Sequence, residues 1–511
     1  MGRVTIFAIN GCPFCVKSKE ALKSRGIPYL EINLSTHPDK RSDLLNLSDS
    51  LTVPQIFFNE THIGGSVELL ALFAQWEGEV EFHGSPLERY KRDIEAMSDP
   101  TDPRLQPSSK DPVKEPKPPP RGEEDVIKIP RSEDSVTVLE MTKRLLQTVP
   151  LSDLTYHLKT YKKSIKGNSF LTYAMKEFNL TKEEALQFGS YLSEQRLITH
   201  VTDDHVFKDK KDLFYRLQPH QTPDILNSYR IWTDRVDPNS LAVLSRLSKQ
   251  LQKVFDRATD TDGNVNLALA AQDPEYPKFE EEACELQGIS MEGMDLYTKT
   301  AFVINLYNML IKYAQVKVGV PLSNLSRASF FFGVKANVGG EIFSFQDLEN
   351  GILRANAKPP YVLKKVFPQG DKRLRLVVEK VDPRIHFALN CGARSCPPVK
   401  KFTSTDLNEE LRIVALAFCE QDVAVDESSN SMLCSTIFKW YLPDFAPSVS
   451  ELPKALMKFL NPKGEKFELL QKMVKKGSIK VKFREYDWGS NVTETKVFNK
   501  SNLKADQYCI F

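Results

Sequence analysis

With 511 residues, a net charge of +2 and 41% hydrophobic residues, the chain is long enough for several domains with ordinary cores. The near-neutral balance excludes bulk attraction to nucleic acid or to an anionic surface. Eight cysteines spread over this length form no secreted disulfide framework and point to a reducing compartment.

The N-terminus runs straight into an apolar strand, without the basic and apolar parts of a signal peptide. No apolar stretch approaches the length of a membrane span. Ile6 stands where myristoylation prefers Ser or Thr, and Cys509-Ile510-Phe511 is one residue short of a prenylation box. The expectation is a cytoplasmic protein, with peripheral docking at membranes left open.

The run 4–9 is β-branched and aromatic and reads as a buried first strand. Cys12-Pro13-Phe14-Cys15 follows it directly. Pro13 suits a first helical turn, and the helix over 16–25 is stopped by Gly26. Cys12 then lies where unpaired N–H groups and the positive helix end stabilise a thiolate. Cys15, one turn on, can resolve a mixed disulfide formed at Cys12. Taken alone, the spacing also admits a zinc half-site or two buried thiols, although no second Cys-x-x-Cys occurs in the chain. Thr52-Val53-Pro54 precedes a strand over 55–58, where a cis proline can hold backbone against a bound thiol. Gly64-Gly65-Ser66 precedes an apolar helix over 69–76, and Ser66 can cap it to make a small anion site.

These three motifs in this order resemble the glutaredoxin family over residues 1 to about 80. The resemblance implies a thioredoxin-like α/β fold, β-α-β-α-β-β-α, with helices on both sheet faces. It implies Cys12 as nucleophile, Cys15 as resolving thiol, and glutathione as reducing co-substrate. Val53 would pair its backbone with the cysteine moiety of glutathione, Pro54 would be the cis proline, and Gly65 and Ser66 would hold the γ-glutamyl end. Two positions depart from the family: Asn10 replaces a common lysine, and Val67, followed by Glu68, replaces an Asp that receives the γ-glutamyl amine. Protein disulfides and glutathionylated proteins are the implied partners.

Beyond this unit, Ser85-Pro86-Leu87-Glu88 is a capping box with proline in the first turn. Residues 98–133 are crowded with Pro, Ser and mixed charge and read as a linker. Pro116-x-x-Pro119-x-Arg121 within it fits an SH3-type groove, or is a plain spacer.

From 136 to 217 helical stripes give way to short strands at 197–201, 206–207 and 213–217, with Asp203-Asp204 as a turn. A capping box from Thr181 to Glu184 opens a helix reaching about residue 195. Helices followed by a small β-wing suggest a winged helix. The stretches His157-Leu158-Lys159-Thr160-Tyr161, Gly167-Asn168-Ser169-Phe170, Glu184-Ala185 and Ile198 through Asp209 resemble the DEP domain family, with Tyr173 in place of a usual tryptophan. That resemblance implies a signalling or membrane-docking module without a catalytic centre. Lys159, Lys162, Lys163, Lys166 and Lys176 occur with no acidic residue between Asp153 and Glu177. Such an arm can favour anionic lipid headgroups, or is a solvated hairpin. His157, His200 and His205 fit no metal-ligand spacing. The helix at 182–195 is too acidic to read nucleic acid, so none is expected as partner.

From about 238 to 500 lies the largest block. An amphipathic helix at 239–258 leads into Asp260-Thr261-Asp262-Gly263-Asn264, which fails as a calcium loop and reads as a turn. Residues 299–308, 386–398 and 438–441 together resemble domain-of-unknown-function family 547, which supplies no activity. A strand is expected at 386–390, placing His386 on one face with Asn390. Cys391 and Cys396 follow, with Arg394 between them to favour a thiolate. His386, Cys391 and Cys396 are a candidate second thiol site with four readings. They are a structural thiol pair beside a buried histidine, a Cys–His nucleophile oriented by Asn305 or Asn308, a reversible disulfide reduced by the N-terminal dithiol, or a three-ligand zinc site. The basic tail 472–484 alternates apolar and charged residues as a half-buried strand does.

The chain is thus expected to be multidomain, α/β and α+β. It divides into a thioredoxin-like unit at 1–83, a helix and Pro-rich linker at 84–133, a DEP-like winged helix at 134–220, and a mixed α+β domain at 238–500. The expected function is glutathione-dependent thiol–disulfide exchange coupled to a docking or signalling module, with a redox-sensing adaptor as the alternative. No metal is expected.

Overall fold

In the computed structural model the described residues are 4–8, 13–34, 37, 40–48, 53–78, 86–95, 101–106, 126–132, 135–156, 158–202, 206–232, 239–360 and 362–508. The candidate polyproline motif at 116–121, Asp203-Asp204, His157 and His205 lie outside them.

The N-terminal unit runs β1 (Val4–Ala8), α1 (Pro13–Ser24), β2 (Leu30–Asn33), α2 (Lys40–Ser48), β3 (Gln55–Phe58), β4 (Thr61–Gly64) and α3 (Ser66–Gly78), and a short helix, α4 (Pro86–Tyr90), follows. Its sheet has the order β2-β1-β3-β4, with β1 parallel to β2 and antiparallel to β3. Strand alternation divides the apolar residues between two faces. Val4, Ile6, Ile56 and Phe58 pack with Leu22 of α1 and Leu69 and Phe73 of α3. Phe7, Ile32 and Phe57 pack with Leu44 of α2 on the other side. Leu105 completes this second face at 1% exposure, although it falls in the stretch expected to be linker. The reason is local. Asp102 caps a short turn at Pro103–Leu105, and Lys40 Nζ donates to the Pro103 carbonyl at 3.1 Å.

A hairpin of β5 (Val126–Lys128) and β6 (Ser135–Thr137) precedes the middle unit and contributes Ile127 to its core. Next come α5 (Val138–Thr148), β7 (Ser152–Tyr156), β8 (Lys159–Lys166), α6 (Gly167–Glu177), α7 (Lys182–Glu194), β9 (Ile198–His200) and β10 (Phe214–Leu217). Capping boxes at Thr137/Glu140 and Thr181/Glu184 start α5 and α7. Residues 206–207, expected as a strand, form none. Phe207 turns its ring into the core instead, and Gly189 leaves it room, since a Cβ there would stand 2.4 Å from the ring.

The C-terminal block is built on two long helices, Ser240–Ala258 and Leu296–Val318, and holds two cores. The expected strand at 386–390 is a 3-10 turn, Pro383–Phe387, capped by Asp382. Proline after a capping aspartate sets a helical start, and His386, Phe387, Ala388 and Leu389 are all buried, so alternation carries no face there. Of the tail expected as a strand, residues 480–483 do form one with alternating exposure, whereas 472–476 close a helix, Glu465–Lys476. Among the described residues no helix is long and apolar enough to cross a membrane.

The strand Asp506–Tyr508 pairs antiparallel with β8 and so joins the C-terminal block to the middle sheet. Arg216 on β10, 1% exposed, donates to Asp506 and to the carbonyls of Ala505 and Lys162.

Candidate functional site

The N-terminal motifs meet at one end of the sheet. Ala8 ends β1, Cys15 lies in the first turn of α1, and Val53 packs against both. Cys15 is buried and disulfide-bonded; Cys12 lies outside the described residues. The Val53–Pro54 peptide bond is cis. A Cβ on Gly65 would stand 3.4 Å from the Pro54 carbonyl oxygen, an ordinary contact distance, so the two backbones lie beside each other. The Gly65 amide donates to the Glu68 carboxylate at 2.8 Å. Ser66 opens α3 with its hydroxyl buried and without a hydrogen-bond partner among the described residues. Val67, by contrast, is 68% exposed.

A second set of polar groups lies in the C-terminal block. The Cys391 and Cys396 sulfurs are 3.0 Å apart, and the Tyr486 hydroxyl is 3.2 Å from Cys396 Sγ and 3.7 Å from Cys391 Sγ. His386 does not join them. Its Nε2 bonds Asp444 Oδ2 at 2.8 Å, and its ring stacks on Tyr441 at 4.0 Å between centroids. Arg354 clamps the same Asp444 with bonds of 2.6 and 2.8 Å. Tyr441 donates to Glu349 at 2.5 Å. Burial lowers the His386 pKa against the pull of Asp444 and Glu349.

Three expectations about this region change. Asn305 bonds the backbone of Phe402 and Asn308 that of Ala388 and Asn390, so both pin loops and neither orients a histidine. Arg394 reaches Asn491 and the Ser490 carbonyl, and hydrogen-bonds neither thiol among the described residues. His386 hydrogen-bonds no thiol among the described residues, which removes the geometry of a Cys–His nucleophile. The sequence reading missed Tyr486, Asp444 and Arg354. Tyr486 adjoins the recognised turn at 487–489, whereas no spacing signal ties Asp444 to His386 across 58 positions. Among the described residues no group of three or more His, Cys, Asp or Glu is placed to hold a metal ion. His200, one of the three histidines considered, hydrogen-bonds Thr202 and packs edge-on against Tyr215.

A four-stranded mixed sheet with helices on both faces, and a cysteine-bearing helix beside a cis-proline turn, define a thioredoxin-like domain. The family model described as Glutaredoxin matches residues 4–63. Glutaredoxin of Pseudomonas aeruginosa is 39% identical over 72 residues, 14% of this chain and 86% of that protein. Glutaredoxin 3 of Escherichia coli (strain K12) is 37% identical over 75 residues, 15% of this chain and 90% of that protein. The solution structure of glutaredoxin from Brucella melitensis is 36% identical, covering 16% of this chain and 86% of that one, with a TM-score of 0.14. Through this domain the chain belongs to the glutaredoxin family, and the domain is of thiol–disulfide oxidoreductase type. The model described as Domain found in Dishevelled, Egl-10, and Pleckstrin (DEP) matches 148–217, a signalling module. The model described as Protein of unknown function, DUF547 matches 291–419.

Proposed function

We propose that this protein is a glutathione-dependent thiol–disulfide oxidoreductase whose DEP module places the reaction near a target. The Cys12 thiolate attacks the glutathione sulfur of a glutathionylated protein, and the protein thiol leaves. A second glutathione attacks the new mixed disulfide and releases oxidised glutathione, restoring Cys12. On a protein disulfide, Cys15 instead attacks the Cys12 mixed disulfide and releases the substrate thiol, and two glutathione molecules then reduce the Cys12–Cys15 disulfide to give oxidised glutathione. Val53 and Pro54 hold the cysteine moiety of glutathione, and Gly65 and Ser66 its γ-glutamyl end. The observation that carries this reading is the convergence of Cys15, Val53, Pro54 and Gly65 at one sheet end. Glutathione-coupled reduction of a small mixed disulfide tests it. Activity in the intact chain should disappear with Cys12→Ser, and turnover surviving that change contradicts the assignment.

A redox-sensing adaptor is the second reading, and one contact favours it. The Glu68 carboxylate already occupies the Gly65 amide, beside Val67 where the family's amine-binding Asp would stand. Glu68→Gln should then strengthen glutathione binding several-fold in a calorimetric titration. An unchanged affinity removes the argument for self-occlusion.

The docking partner proposed for the DEP module is an anionic membrane surface in the cytoplasm. Lys163, Lys166 and Lys176 form no ion pair among the described residues, while Lys159 bonds Asp506 at 2.9 Å and Lys162 Nζ the Ser501 carbonyl at 3.3 Å. Binding to anionic vesicles should be weak and fall with salt. Equal binding to neutral vesicles counts against it.

A further inference from the structure

The free thiols of the C-terminal block are of two kinds. Cys284, Cys419 and Cys434 are 0% exposed core residues, and burial pushes their thiols up, Cys284 and Cys434 to about 12. Such thiols are packing atoms and chemically inert. Cys391 and Cys396 are only half-buried, and their environment is built differently.

The loop between them is fixed by groups other than the sulfurs. Asn308 holds the Ala388 carbonyl and the Asn390 amide. Asn390 in turn donates to the Pro397 carbonyl at 2.7 Å and accepts from the Gly392 amide at 2.8 Å. Gly392 turns the chain with φ +87° where a Cβ would strike the Gln315 side chain at 2.3 Å. These bonds return the chain so that the two sulfurs face each other at 3.0 Å, about 1 Å beyond the ~2.05 Å of a disulfide. Closing the bond requires little rearrangement of a loop already held in this form.

The donors around the pair are unequal. Cys396 Sγ accepts the Cys391 amide N–H at 3.1 Å and lies nearer the Tyr486 hydroxyl. The Cys391 thiol, then Tyr486 and the loop amides, draw the Cys396 thiol below its ordinary value against the opposing effect of burial. The hydrogen bond to Cys396, with burial, pushes Cys391 up. The first proton thus leaves Cys396, and the pair behaves as a nucleophile beside a protonated resolving thiol.

We propose that Cys391 and Cys396 form a second redox centre that closes to a disulfide by exchange with a small-thiol disulfide such as oxidised glutathione. The Cys396 thiolate attacks one sulfur of the small disulfide. That S–S bond breaks, a Cys396 mixed disulfide forms, and one small thiolate leaves to take a proton from water. Cys391 then loses its proton to solvent and attacks Cys396 Sγ, expelling the second small thiol. Two protein thiols are oxidised to one disulfide and one small disulfide is reduced to two thiols, a two-electron exchange that excess small thiol reverses.

The test uses the full chain carrying Cys12→Ser and Cys15→Ser, which silences the N-terminal dithiol and keeps this outcome separate from that of the oxidoreductase reading. The chain is equilibrated with mixtures of reduced and oxidised glutathione, quenched, alkylated and digested. A 391–396 linked peptide should rise from a trace to the majority form across the series and vanish with either Cys391→Ser or Cys396→Ser. In the reduced chain Cys396 should alkylate at least tenfold faster than Cys419. Its rate should titrate with a midpoint below the ~8.5 of a free thiol. Tyr486→Phe should move that midpoint up. A merely structural tyrosine would leave it in place. Trp440 and Trp488, tilted against the Tyr486 ring with centroids at 4.9 and 4.6 Å, give an emission signal that reports whether the variants are folded. Thiols unlinked in the most oxidising mixture, or Cys396 no faster than Cys419, overturn the proposal.

Discussion

Asp444 ties three separate stretches together, since it receives both the Arg354 guanidinium and His386. The side chains of Arg354 and Asp444 are 4% and 6% exposed. Removing one partner of such a pair strands a buried charge, at a cost of about 3–5 kcal/mol. Asp444→Asn should therefore lower the melting temperature of the C-terminal block, and an unchanged melt would show the pair to be dispensable. The same cluster sets a pH dependence. His386 faces Asp444, Glu349, Arg354 and Tyr441, and burial holds its folded pKa below the ordinary ~6.5. The unfolded chain takes up that proton first, so this stability is complete above ~6.5 and lost as pH falls toward the folded value. The slope reaches about 1.4 kcal/mol per pH unit for one group. Burial and the nearby cations Lys163, Lys317 and Arg216 take His220 down to about 3, with the same sign. Burial alone would raise Asp444, but hydrogen bonds from His386 and Arg354 carry it below the ordinary carboxylate value. It acts in a lower window, with stability lost as pH falls from ~4 through its folded value. Thermal melts from pH 7.5 to 5.5 should fall in the intact chain and fall less in His386→Gln. At this scale the sequence exposed only what spacing encodes. Cys12 and Cys15 stand three apart, whereas Tyr486 reaches Cys391 across 95 positions and leaves no periodic trace.

Among elements, amphipathic helices and alternating strands were legible because their periods depend on near neighbours. The capping box at Thr181 and the strand at 480–483 appear where pattern places them. Patterns failed where burial was complete or a single residue made the contact. The 386–390 stretch is apolar on every side, so a proline after a cap decided its form. Leu105 is one apolar residue in a Pro-rich run, yet it fills the second face of the N-terminal sheet. Leu105→Ala should cost the N-terminal unit about 2–5 kcal/mol in denaturant melts. A loss below about 0.5 kcal/mol would return the segment to the status of a linker. The strand Asp506–Tyr508 is a second such element, since it lies over 300 positions from the β8 edge it covers. Asp506→Asn leaves Arg216 buried with a weaker partner and takes a negative charge away from the basic arm at Lys159. The variant should melt lower and sediment more with anionic vesicles at low salt. Unchanged vesicle binding would show that the strand does not mask the basic arm.

At the scale of the molecule, a glutaredoxin-family domain is joined to a DEP module whose sheet is completed by the far end of the chain. The C-terminal block supplies that strand and, in our proposal, a second dithiol. Family identity was legible because three short motifs, each with its own physical demand, recur in order. The coupling of the middle sheet to residues 506–508 was not, because strand pairing across the whole chain leaves no local signature. The central claim is that Cys12 performs the exchange with glutathione and Cys15 is needed only to resolve protein disulfides. The most direct measurement compares the intact chain, Cys12→Ser and Cys15→Ser in glutathione-coupled reduction of a small glutathione mixed disulfide and of a protein disulfide. The account predicts no turnover of either substrate with Cys12→Ser, and with Cys15→Ser retained reduction of the mixed disulfide but loss of the protein disulfide. Turnover that persists without Cys12, or an intact chain inert toward both substrates, would contradict it.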